Sequence, residues 1–126
     1  MNYKYILISS AVMLLLDYIY LSLTKDSFIK MVVNIQNSAF KLNLIGAIIS
    51  YSLLIIANYN FLYNKQSSYK DAFLLGIIIY GVFDGTNLAL FKNYDINLGI
   101  KDTLWGGILM SITYYLSNKI YLDFKL

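Results

Sequence analysis

Apolar residues run along this chain in four long blocks broken by short polar stretches. The first, Tyr5 to Leu23, is long enough at a rise of 1.5 Å per helical residue to cross a hydrocarbon core of about 30 Å. Leu42 to Tyr63, Ala72 to Phe91 and Ile100 to Tyr121 follow, with polar Asn64 to Asp71 and Lys92 to Gly99 between the later blocks. The pattern predicts an all-α protein: a membrane-embedded four-helix bundle in one domain over residues 1–126, with spans at about 5–23, 42–63, 72–91 and 100–121. Short connections make consecutive helices antiparallel neighbours.

Two segments need separate reading. The first block could be a signal peptide, but its apolar run continues past Asp17 through Tyr18, Ile19, Tyr20 and Leu21, and no small-residue cleavage site follows, so a retained helix is expected. In Asp26 to Phe40, Phe28, Met31, Val32, Ile35 and Ala39 recur at helical spacing, while Ser27, Lys30, Asn34 and Asn37 lie largely opposite. That spacing predicts a short amphipathic helix lying along the interface between the first and second spans; an ordinary loop is the alternative.

Composition supports the bilayer as solvent. The chain is 59% hydrophobic and 13% charged, and its mean hydropathy of +0.59 lies outside the ordinary soluble range. With no cysteine and no histidine, disulfides, thiol nucleophiles, zinc-type sites and imidazole chemistry are all excluded, and no metal or cofactor is expected. Every cation is a lysine and every anion an aspartate. The lysines are scattered over termini and loops, which argues against nucleic-acid binding despite a pI near 9.0. Lys4, Lys65, Lys70, Lys119 and Lys125 fall on one side of the bundle and Lys25, Lys30, Lys41, Lys92 and Lys101 on the other. The even split fixes no orientation and leaves open either a family-fixed topology or insertion both ways round, the latter suiting an antiparallel homodimer. A multi-pass integral membrane protein is expected, in a membrane that the sequence does not specify. Tyr3, Tyr5, Tyr59, Tyr63, Tyr69, Tyr94 and Tyr121 sit near span ends, where an aromatic belt belongs.

Against this background three aspartates stand out. Asp17, Asp84 and Asp102 are set in apolar segments, where each carboxylate costs roughly 2.5–3.5 kcal/mol even on lenient insertion scales. Counted inward from the face that carries the first and third loops, they lie at about 10, 12 and 3 Å, all in one leaflet. Ser50 and Tyr51 of the second span fall near the depth of Asp17, and Asn87 is level with Trp105. Helical periodicity aligns Tyr80, Asp84, Asn87 and Phe91 on one stripe, and Asp102, Trp105 and Gly106 on another that continues through Met110, Thr113 and Ser117. Gly81 and Gly85 bracket Asp84 at the spacing that lets a neighbouring helix approach closely. Each carboxyl has a bland reading beside the functional one: a helix-start cap for Asp102, hydrogen-bonded scaffolding for Asp17 and Asp84.

Asp17, then Tyr80-Gly81-x-x-Asp84-x-Thr86-Asn87, then Asp102-x-x-Trp105-Gly106 resemble the DUF2177 family of predicted membrane proteins, over nearly the whole chain from Leu14 to Tyr121. Phe83 stands where the family pattern often has Tyr, and Gly85 where a larger apolar residue is usual. The resemblance implies a compact four-span membrane protein and supports the positions of the site residues. It supplies no activity.

The candidate site is therefore Asp17, Tyr80, Asp84, Thr86, Asn87, Asp102 and Trp105, with Gly81, Gly85 and Gly106 as packing positions. Close carboxyls in a bundle can share one proton or one hard cation, which suits binding or transport of a small solute, cation or proton. The layout is similar to that of small multidrug carriers, whose motifs are absent. A lipid-modifying enzyme or accessory factor is the second reading, weakened by the lack of a recognisable catalytic constellation. A purely structural polar network is the third.

Overall fold

In a computed structural model, which describes residues 1–124, the chain folds into helices joined by short connections. Lys125, one of the ten lysines weighed above, lies outside the described residues. Helix α1 spans Tyr3–Gln36, α2 spans Leu44–Ala57 and runs straight into a π-helical turn at Asn58–Tyr63, α3 spans Tyr69–Leu90, and α4 spans Ile96–Asp123. Each start is capped by a short polar side chain that accepts otherwise orphaned amide N–H groups: Asn2 from Tyr5, Asn43 from Gly46, Ser68 from Asp71, and Asp95 from Asn97 and Leu98.

The separate interfacial helix expected at 26–40 does not form. Residues 26–36 are instead the last turns of α1, which has 34 residues and a length of about 51 Å, well beyond a bilayer core. Thr24, Lys25, Asp26 and Ser27 are polar but compatible with a helix, and no glycine or proline interrupts them. The extension is held from above by the α3–α4 connection, where the Asp95 amide donates to Met31 Sδ and Asn93 Nδ2 to the Asn34 carbonyl. Asn37, with φ 56° in the left-handed region that Asn tolerates, ends the helix and donates its N–H to the Val33 carbonyl at 2.9 Å.

Among the described residues three helices are long and apolar enough to cross a membrane: α1, α2 with its π turn, and α3. The fourth expected span coincides with α4, which has the length but not the apolarity, since it carries Lys101, Asp102, Lys119 and Asp123 among many small and hydroxylated residues. Its position explains this. α4 packs along α3 and α1 and buries Asp102, Gly106, Met110, Thr113 and Ser117 on its inner stripe, so these polar groups face protein, whereas Lys101 near one end and Lys119 and Asp123 near the other are exposed. The outer surface is the reverse: Leu44, Ile45, Ile48 and Ile49 of α2, and Leu74, Ile78 and Val82 of α3, are all exposed. Polar inside and apolar outside is the arrangement that a hydrocarbon solvent selects.

α3 and α4 approach most closely at Gly76, where a β-carbon would collide with the Gly106 carbonyl, and at Gly106 itself, whose missing side chain makes room for the Tyr80 ring. Gly107 does the same for Phe73. The tight crossing expected at Gly81 and Gly85 thus falls at Gly76: a β-carbon on Gly81 would make ordinary contact with Thr103 at 3.4 Å, and one on Gly85 would meet nothing within 4 Å.

Candidate functional site

The Asp102–Trp105 turn of α4 is where the carboxyls meet. Because Asp95 caps α4 and the helix begins at Ile96, Asp102 lies in the second turn, buried to 7% exposure, and is not the cap. Asp17 of α1 accepts from Trp105 Nε1 at 2.9 Å through one oxygen and from the Tyr51 hydroxyl of α2 through the other. Asp84 of α3 accepts from Thr103 Oγ1 at 2.9 Å and from the Tyr94 hydroxyl. Asp102 accepts from the Tyr20 hydroxyl of α1 at 3.4 Å, and Thr103, the next residue on α4, is the one that donates to Asp84. Three carboxyls from three helices thus form one buried cluster, and the donors around it are hydroxyls and an indole N–H, not lysines.

Aromatic rings hold these donors. Tyr20 stacks on Trp105 with centroids 4.6 Å apart and planes 11° from parallel, and Phe28 meets Tyr20 edge-on at 6.3 Å. Tyr94, in the α3–α4 connection outside the apolar spans, has its phenol pushed well above the usual range, first by burial and then by its hydrogen bond to Asp84. It therefore remains a neutral donor to that carboxyl across the physiological range.

Two cavities flank the cluster. One, of about 480 Å³, lies among α1, α2 and α3, reaches Asp102 of α4, and is lined by Asp17, Tyr20, Tyr51 and Tyr80 together with apolar residues such as Leu53, Leu54, Ile79 and Phe83. The other, of about 420 Å³, lies between α3 and α4 and is lined by Asp84, Tyr94 and Thr103 with Gly81, Gly85 and Gly99. Among the described residues there is no group of three or more His, Cys, Asp or Glu side chains placed to hold a metal ion.

Of the residues singled out in the sequence, Asp17, Asp84, Asp102 and Trp105 are brought together, and Tyr80 lines the larger cavity. Asn87 is half-buried beside Tyr94, whereas Thr86 is exposed and takes no part. Tyr20, Tyr51, Tyr94 and Thr103 complete the cluster as donors. Tyr51 could be found by its depth next to Asp17, and Thr103 by its adjacency to Asp102; Tyr94 was hidden by its resemblance to an interfacial belt residue.

A family model described as a predicted membrane protein (DUF2177) matches residues 2–118. The chain belongs to this family. No curated protein and no solved structure matches it. The match takes in all three clustered carboxyls of the DUF2177 chain, Asp17, Asp84 and Asp102, and every donor to them.

Proposed function

We propose that all four helices cross the bilayer and that the chain binds, within the membrane, a small amphipathic solute with a cationic head, in exchange with a proton held by the Asp84–Asp102 pair. The observation that carries this reading is that both carboxyls are buried, with Asp84 bonded to the residue next to Asp102, beside a cavity of about 480 Å³ whose walls are otherwise largely apolar. Two carboxylates this close in a low-dielectric interior repel strongly unless a proton or a cation lies between them. The cavity offers an apolar tail a wall of Leu53, Leu54, Ile79 and Phe83, and offers its head Asp17 and Asp102.

Trp105 is the protein's one tryptophan and donates to Asp17, so its fluorescence reports on the site. In nanodiscs, titration with octylammonium should give a saturable change in Trp105 emission, weakened about tenfold or more by Asp102→Asn and progressively as protons are added to compete for the pair. A response that does not saturate, or that survives Asp102→Asn unchanged, rejects the binding reading. The scaffold reading is favoured by one observation: both oxygens of Asp17 and both of Asp84 already have partners. On that reading the same substitution alters stability alone.

A further inference from the structure

The inner stripes of α1 and α4 run antiparallel and both change character midway. On α1, Tyr5 and Ser9 lead to Met13 and then to Asp17 and Tyr20; on α4, Ser117 and Thr113 lead to Met110 and Leu109 and then to Trp105 and Asp102. The carboxyl cluster occupies one end. At the other end, beyond the methionines, the polar groups are neutral and poorly satisfied: Asn58 Oδ1, Thr113 Oγ1 and Ser117 Oγ are fully buried and have no hydrogen-bond partner in the protein among the described residues.

These atoms share one end of the bundle. Asn58 Nδ2 reaches the Tyr5 hydroxyl at 3.4 Å, and Ser117 of α4 is fully buried at the same end of the α1–α4 seam. Thr113 is one turn along α4 from Ser117. The π-helical turn beginning at Asn58 turns Asn58, Tyr59 and Leu62 inward, although only Leu54 of α2 is buried. Orphaned buried acceptors are rare and costly in any protein, and more so in hydrocarbon.

We infer that Asn58, Thr113, Ser117 and Tyr5 form a site for bound water, separate from the carboxyl cluster and independent of what that cluster binds. The chemistry selects water. The set combines an amide oxygen that can only accept with hydroxyls that both donate and accept, it contains no carboxylate, and a water molecule needs two to four such partners. The neighbouring groups are polar too: Asn2 donates to the Tyr59 hydroxyl at 2.8 Å and to the Tyr63 hydroxyl at 2.6 Å, and Tyr63 stacks on Tyr5 with centroids 3.8 Å apart.

Two measurements test the site. In the labelled protein in micelles, the Thr113 γ-methyl should show a nuclear Overhauser contact with water. Thr113→Val keeps the shape and removes the hydroxyl; it should lower the folding equilibrium constant about fivefold in a denaturing-detergent titration, because a water-mediated bond is lost. Ser117→Ala should do the same, and the double variant should lose less than the product of the two, since both hydroxyls hold the same water. A neutral or stabilising Thr113→Val would mean that the hydroxyl has no water to lose and overturns the inference. Absence of the water contact in the wild-type protein overturns it too, whatever the variants do.

Discussion

At the scale of single residues, each carboxyl of the cluster does two things: it satisfies neighbouring donors, and it carries an ionisable proton. Substitutions at Asp84 separate them. Asp84→Asn keeps an acceptor for Tyr94 or Thr103, and Asp84→Leu strands both hydroxyls. Hydrogen bonds between helices in membranes are worth about 0.6–2 kcal/mol each, so Asp84→Leu should cost roughly 1–4 kcal/mol in a detergent unfolding titration and Asp84→Asn a fraction of that. If the pair serves proton exchange, Asp84→Asn should nonetheless abolish the pH dependence of octylammonium binding, since no carboxyl pair remains to hold the proton. Mild destabilisation with unchanged pH dependence would assign Asp84 to scaffolding.

Among the elements, the α3–α4 crossing makes the most definite claim. Gly76→Ala drives a β-carbon into the Gly106 backbone, which cannot yield as a flexible side chain would, and should destabilise by about 1–3 kcal/mol or more. Gly85→Ala meets open space and gains helix propensity, so it should be neutral or stabilising by up to about 1 kcal/mol. The reverse order in a thermal or detergent unfolding assay would contradict the crossing geometry. This contrast also marks what the sequence could and could not convey. Apolar blocks announce helices, and depth counting places Asp17, Asp84 and Trp105 in one leaflet, because both depend on a fixed rise per residue. Which glycine a partner helix touches depends on the crossing point and its azimuth, and Gly81-x-x-x-Gly85 was a plausible pattern at the wrong height. The continuation of α1 through residues 26–36 was hidden for a related reason: amphipathic spacing reports which face is covered, not whether the axis bends. What covers Met31 is the distant Asn93–Asp95 connection, which no local window contains.

The whole molecule is a bundle whose polar matter sits inside in two deposits, divided by an apolar zone. Met13, Leu109 and Met110 are all fully buried there and pack with Leu54 and Ala72, while the carboxyl cluster lies beyond them on one side and the Asn58–Thr113–Ser117 site on the other. α1 and α3 shield the inner stripe of α4, the least apolar helix, so its buried polar groups lie against protein. If both deposits are hydrated, the zone between them is the sole barrier to proton movement along the α1–α4 seam, since a close-packed apolar layer admits no water. Replacing a plug residue by a polar one of similar size tests this directly. Met13→Gln should raise the proton permeability of proteoliposomes carrying an internal pH-sensitive dye well above that of the wild type, and Met13→Leu should leave it at the wild-type level because the layer stays apolar. Combining Met13→Gln with Asp17→Asn should lower the leak again, as the carboxyl nearest the breach along α1 is removed. A Met13→Gln protein that folds and remains proton-tight would show that the two polar regions do not form halves of one path.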